Sequence, residues 1–184
     1  FTRYSSRYDA YLRGEAPNAF KRELSNGSLL DIGVYALHPA VALFGEPRSI
    51  FAGGHILEEG RGIDAFATVV MDYQDMQAVI MTSKVHTSHI GSEIQGESGS
   101  ITIGALGSFT PMALWDNEGK RTDIPTHQLG DRVDMRYELE YFIRQAKSPD
   151  PGAWARLDEQ TLRVMRLLDE ARSQMGLVYP SDEA

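Results

Sequence analysis

No cysteine occurs among the 184 residues of this chain. Its absence excludes a disulfide framework, a thiolate zinc knuckle and a thiol nucleophile, and it fits a reducing compartment, so a cytoplasmic location is expected. Basic residues are also few, with 18 Lys and Arg against 26 Asp and Glu and a net charge of −8. Nucleic-acid binders usually present a basic face to the phosphate backbone, so nucleic acid is not an expected partner. No apolar run approaches the roughly 18 to 20 residues that span a bilayer, and no charged stretch leading into an apolar one opens the chain. Neither a membrane partner nor secretion is therefore expected. What remains is ordinary, 42% hydrophobic and 24% charged, enough for one domain with its own core.

The chain opens on Phe1 and reads as a piece cut from within a longer protein. Its stretch 1–20 mixes arginine and tyrosine without a clear period and is predicted to be a loop or partly ordered surface arm. Arg3, Arg7 and Tyr8 are there as candidates for a polar ligand or a neighbouring domain.

From Ser28 to Phe44 the residues Leu29, Leu30, Ile32, Val34, Leu37, Val41, Leu43 and Phe44 nearly encircle a helix, which predicts an element buried on most sides. Ser28 followed by Asp31 resembles a capping box, Gly45 and Pro47 punctuate the end, and Pro39 is expected to kink or shorten the helix. Three β-rich runs follow, Ser49 to Leu57, Ile63 to Tyr73 and Gln77 to Val85. In the second, Ile63, Ala65, Ala67, Val69, Met71 and Tyr73 share one apolar face, while Asp64, Thr68 and Asp72 fall on the other. A break at Gln74 and Asp75 predicts a hairpin, and shorter strands are expected at 92–95, 100–103, 112–115 and 121–125.

Two helices close the pattern. Val133 to Lys147 aligns Met135, Leu139, Phe142 and Ala146, with Asp131 as a candidate cap, and Asp158 to Met175 aligns Val164, Leu168, Ala171 and Met175 before Gly176. Helix, strands, then helices is an α+β order, predicting an open, predominantly antiparallel β-sheet with helices packed on one face.

The residues most suggestive of chemistry lie at the start of the first core helix. Asp31 and Tyr35 are four apart and His38 a further three, so all three line one edge of an otherwise apolar helix. A polar ligand would satisfy them. A structural account is equally coherent: Asp31 meets first-turn amides, Tyr35 is a core aromatic with a surface hydroxyl, and His38 precedes a proline bend. The spacing alone favours the structural account.

Asn26-Gly27-Ser28-Leu29-Leu30-Asp31-Ile32-Gly33-Val34-Tyr35 resembles the G-G-x-L-x-D-x-G-x-[His or Tyr] signature of the glucose-fructose oxidoreductase and inositol dehydrogenase (Gfo/Idh/MocA) family. Ile94 to Ile101 is similar to its I-x-G-x-x-G-x-I hairpin, and the order of elements along most of the chain agrees. The resemblance implies a two-domain enzyme in which an N-terminal Rossmann domain binds NAD or NADP and hydride passes at a sugar, polyol or related alcohol carbon. Residues 1–184 would be its C-terminal substrate-binding and dimerisation domain, giving a homodimer or higher homo-oligomer through the sheet. No G-x-G-x-x-G follows a strand here, and none of Lys21, Lys84, Lys120 and Lys147 precedes proline as in the family's Glu-Lys-Pro motif. The nucleotide-binding domain and that lysine would lie outside this chain, which alone should hold no cofactor and be inactive.

By the same resemblance Asp31 corresponds to the aspartate that hydrogen-bonds substrate hydroxyls, and Tyr35 to the proton-transferring histidine or tyrosine. A phenol, with an ordinary pKa of about 10, needs a nearby cation to act as a base at neutral pH, which the family lysine would supply. Asn26 in place of the first glycine, and tyrosine where histidine is commoner, depart from the pattern. The second leaves open whether Tyr35 transfers a proton or orients substrate.

Arg7, Tyr8, His38 and Lys84 complete the candidate substrate contacts. Lys84 points into a cleft or flanks an exposed strand as edge protection. His86 and His89 lie three apart, but no recognised ligand set accompanies them, so no metal is expected. Ser25, Ser28 and Ser98 lack a nucleophile-elbow context. The rival function is a non-catalytic sugar-binding or assembly module, in which the sheet, with Val69, Met71, Val79 and Met81 needing cover on both faces, makes a dimer and the Asp31 edge is structural.

Overall fold

The computed structural model describes residues 5–15, 17–60, 62–107, 110–125 and 135–182. They form two compact units, one of Phe1–Ser88 with Arg156–Ala184 and one of His89–Ala155.

In the first unit α1 (Ser5–Leu12) is followed by short 3-10 turns and a π-helical turn, Leu29–Gly33, that runs into α2 (Val34–Phe44). Then come β1 (Ser49–Ile56), the brief α3 (Leu57–Gly60), β2 (Asp64–Asp72) and β3 (Gln77–Ser83). The strands make a three-stranded antiparallel sheet in the order β1-β2-β3. In the second unit β4 (Ser92–Gly96), β5 (Gly99–Ala105), β6 (Thr110–Asp116) and β7 (Arg121–Ile124) form a four-stranded antiparallel meander, followed by α4 (Arg136–Lys147). Last comes α5 (Pro151–Met175), whose part from Arg156 onward belongs to the first unit. The class is α+β with open antiparallel sheets, the strands sorting into two sheets because no ladder bridges β3 and β4. The Ile94 to Ile101 hairpin is present, with Gly96 facing Gly99 across the turn.

Alternation in β2 buries Ala65, Ala67, Val69 and Met71 on one face, as the sequence pattern predicts. Leu29, Leu37 and Val41 on one side of the chain order, and Val164, Leu168 and Ala171 of α5 on the other, complete that core. Each such leucine, valine or methionine side chain contributes about 1.5–3 kcal/mol by leaving water. Val69 pairs with Ile80, so the pleat turns Val79 and Met81 to the opposite face, where they are exposed. Val69 and Met71 are thus internal, correcting the expectation that all four await a partner.

Other expectations also change. The stretch 1–20 contains α1 and a 3-10 turn at Asn18–Phe20, because the rings of Tyr8, Tyr11 and Phe20 stack within 6.2 Å of one another and give the segment a small apolar anchor. Arg3 lies outside the described residues. Asp64 is fully buried and not on the mixed face, since the β1–β2 register slips between His55 and Ile56, just where Asp64 pairs. Pro39 is accommodated inside α2, which continues to Phe44 and stops at Gly45, φ +78°.

Arg22–Phe44 is long and apolar enough to cross a membrane by length and composition, where no such stretch was expected. Its Leu29, Leu37 and Val41 are core residues of this unit. Helix α4 forms at the predicted place, yet Met135, Leu139 and Phe142 are exposed, and its buried residue is Gln145, which accepts the Asp150 amide at 2.9 Å. The candidate cap Asp131 lies outside the described residues. Helix α5 ends as predicted: Gly176 adopts φ +69° while the Leu177 amide bonds to Arg172 O at 2.9 Å.

Candidate functional site

The site is built from the motif 26–35 outward. Gly27 is required by space: a Cβ there would lie 1.7 Å from Asp64 Oδ1 and 2.2 Å from the Tyr179 hydroxyl. That close approach lets Asp64 Oδ2 accept the Leu29 amide at 2.6 Å. A tertiary carboxylate thus satisfies one of the free donors that open the helix. The predicted Ser28/Asp31 capping box does not form, because the Ser28 hydroxyl is paired with Thr82 Oγ1 at 2.5 Å and the Asp31 carboxylate turns to Lys84. Gly33 completes the motif by packing, its Cα facing Leu29 and the Thr82 methyl, where a Cβ would sit 3.3–3.4 Å away. Asn26, standing for the family's first glycine, turns its side-chain amide to Asn18 O at 2.8 Å and so leaves the motif undisturbed.

Lys84 lies at the centre. Its ammonium, fully buried, meets Asp31 Oδ2 at 2.9 Å, where the aspartate side chain is 36% exposed. It also donates to Ala19 O at 2.8 Å and to Asn26 O. Lys84 is therefore internal and does not guard a strand edge. Burial pushes its pKa below the usual lysine value, opposed by the hydrogen bond and charge of Asp31 and by the charge of Asp64.

Burial pushes the Asp64 carboxyl up to about 6, against the hydrogen bonds from the Leu29 amide and Tyr179. Tyr179 is itself pushed well above the ordinary phenol value by burial and by the Asp64 charge beside it. Neither Asp64 nor Tyr179 stood out in the sequence. The available signals were an aspartate leading an otherwise apolar alternating strand and a lone aromatic between Val178 and Pro180.

Of the predicted site residues, Asp31 and Lys84 are in direct contact. Tyr35, 59% exposed, lies four residues along the helical run on the same edge as Asp31. His38 is half-buried, and its carbonyl faces Gln160 Nε2 at 3.4 Å. Arg7 is exposed on α1, near enough for its charge to act on Lys84. Tyr8 belongs to the ring stack with Phe20, and the Lys84 ammonium lies 5.9 Å from the Phe20 centroid. His86 Nδ1 lies 3.1 Å from Ser83 Oγ and His89 is exposed. Among the described residues no three His, Asp or Glu side chains form a metal-ligand group. The arrangement offers a carboxylate held from behind by a buried cation, with a solvent-facing phenol on the same edge, suited to accepting hydrogen bonds from hydroxyl groups.

Residues 2–102 match the GFO/IDH/MocA C-terminal domain. The chain is 40% identical over 184 residues to scyllo-inositol 2-dehydrogenase (NADP(+)) IolU of Bacillus subtilis, covering 100% of this chain and 55% of that protein. It is 40% identical over 186 residues to the uncharacterised oxidoreductase YgjR of Escherichia coli, covering 99% and 54%. Its fold is similar to that of KijD10, a 3-ketoreductase from Actinomadura kijaniata, in an open conformation in complex with TDP-benzene and NADP, with TM-score 0.65, 21% identity, and coverage of 81% of this chain and 47% of that one. The chain spans about half the length of the curated relatives it matches.

Proposed function

Because the chain belongs to the Gfo/Idh/MocA oxidoreductases through their C-terminal domain, we propose that it is the substrate-binding and assembly domain of an NAD(P)-dependent dehydrogenase acting on a polyol, sugar or related alcohol. The observation that carries this reading is the Asp31 carboxylate, backed by buried Lys84 and reaching solvent on the edge it shares with exposed Tyr35. A carboxylate so held accepts hydrogen bonds from substrate hydroxyls and fixes the orientation of the ring that bears them. On this reading Tyr35, held as phenolate by the family lysine outside these residues, takes the proton of the reacting hydroxyl as its carbon gives up hydride. A nicotinamide cofactor would supply the hydride acceptor. No glycine-rich fingerprint for its phosphates occurs in these 184 residues, so its binding is assigned mainly to a nucleotide-binding domain elsewhere in the protein.

The polyol class is favoured by the 40% identity to an NADP-linked scyllo-inositol dehydrogenase across the whole chain. The test uses the full-length protein with NADP⁺ or NAD⁺ and a panel headed by scyllo-inositol and myo-inositol. Asp31→Asn and Tyr35→Phe should each lower kcat/KM by about 10²- to 10⁴-fold while folding persists. Undiminished turnover in both variants would return these residues to a structural role.

A second reading, a non-catalytic assembly module, is favoured by one feature of the first sheet. Phe51, Val79 and Met81 are 64%, 61% and 54% exposed on its outer face. Association of two copies through that face is compatible with either reading, and no cofactor reduction by wild type across the panel would favour the module.

A further inference from the structure

Lys84 is fully buried beneath the site, and a buried ammonium is costly unless its donors find acceptors. An ammonium has three N–H donors, and among the described residues this one meets Asp31 Oδ2 at 2.9 Å, Ala19 O at 2.8 Å and Asn26 O. With these contacts made, the buried side chain reaches the exposed edge of the site through Asp31. The ammonium fixes one carboxylate oxygen of Asp31, so the aspartate cannot swing away without stranding a buried charge. The two carbonyls hold the ammonium from the segment just before the motif helix, and the strand end at Ser83 holds its backbone, the Lys84 amide donating to Ala65 O at 2.8 Å.

We infer that Lys84 is a positioning residue for the reaction: anchored by the Ala19 and Asn26 carbonyls, it clamps Asp31 by Oδ2 and so aims the remaining carboxylate edge at a substrate hydroxyl. The inference rests on the dehydrogenase reading above. It differs from a purely structural role in one respect, since the effect of Lys84 on turnover must pass through Asp31.

A double-mutant cycle in the full-length protein separates the two, reading kcat and KM for scyllo-inositol with NADP⁺ beside thermal unfolding of each variant. Lys84→Met should raise KM and lower kcat/KM on the order of tenfold or more in the wild-type background. In the Asp31→Asn background the same change should alter kcat/KM less than about twofold, because the group it acts through is gone. Lys84→Arg, which keeps the charge, should recover part of the loss. Should Lys84→Met fail to fold, Lys84→Arg takes its place in the cycle: a smaller change in kcat/KM in the Asp31→Asn background than in wild type supports the inference, and an equal change in both overturns it. Equal losses from Lys84→Met in both backgrounds, or kcat/KM unchanged by it, overturn the inference while leaving the dehydrogenase reading intact. A wild-type protein that turns over none of the panel overturns both.

Discussion

The Tyr179 hydroxyl donates to Asp64 Oδ1 at 3.1 Å, joining the segment after α5 to the first residue of β2. The other oxygen of the same carboxylate takes the Leu29 amide at 2.6 Å, so one buried group ties the C-terminal segment, the sheet and the helix that carries Asp31 and Tyr35. The helix start is therefore set by long-range contact. Ser28, which local rules would make the cap, has helical φ −62° and ψ −38° and makes no side-chain cap bond. Placement of the Asp31 edge depends on Asp64 and Tyr179 although neither lies in the motif.

Tyr179→Phe is the direct check on that dependence. It leaves a buried carboxylate short of one donor, and the expected loss is roughly 1–3 kcal/mol of unfolding free energy. Urea denaturation against wild type measures it. Equal midpoints and slopes would mean that the hydroxyl contributes nothing to holding Asp64.

Asp64 also sets a pH dependence whose sign is opposite to that of most carboxylates. Its pKa rises from 3.8 to about 6 on folding, so between those values the native state holds more protons than the unfolded chain. The contribution of this group is fully present below pH 4 and is lost as pH rises through 6. The difference between the two values is worth about 3 kcal/mol. Comparing wild type with Asp64→Asn across pH 4 to 7 isolates it, since the amide does not titrate. Wild type should lose stability relative to the variant as pH increases, and parallel curves would contradict the raised value.

The two motif glycines should respond differently to alanine. At Gly27 the new methyl would fall 1.7 Å from Asp64 Oδ1, which cannot retreat without releasing Leu29 or Tyr179. Overpacking of that kind costs about 1–3 kcal/mol or more. At Gly33 the nearest atoms are the ends of side chains at 3.3 and 3.4 Å, which can yield by a few tenths of an ångström. Melting temperatures should fall clearly for Gly27→Ala and little for Gly33→Ala, and similar values for both would remove the steric account of the motif.

Where periodicity and punctuation govern local structure, the sequence is legible. The strands β1 to β7 and the helices around Leu37 and Leu168 lie close to where their patterns place them, because alternation and helical spacing record which face is buried, whereas α4 forms at its predicted place with Leu139 and Phe142 exposed. What escapes is long-range pairing. Asp64 looks like a surface residue until the register slip beside Ile56 turns it inward, and Lys84 looks like an edge charge until Ala19, Asn26 and Asp31 surround it. The partners come from 35 to 115 residues away along the chain, for Leu29 and Tyr179 respectively, a separation that no local pattern reports. The motif itself was readable as a motif. The reasons for its glycines became visible only with the atoms that crowd them.

The outer face of the first sheet gives the last prediction. Phe51 pairs across the ladder with Val70, and Val70 with Val79, so one row of apolar side chains crosses all three strands, with Met81 beside it. Phe51, Val79 and Met81 are more than half exposed, which is unusual for adjacent large apolar residues on a surface that stays in water. If two copies of the full-length protein associate through this row, a charge placed within it must be buried against an apolar neighbour and will oppose association. Val79→Glu and Phe51→Glu should each convert the assembly to smaller species in sedimentation at micromolar concentration, with the fold retained because both positions point away from the Val69 core. Wild-type mass kept by both variants would exclude this face as the contact, and the assembly reading would then have to rest on another surface.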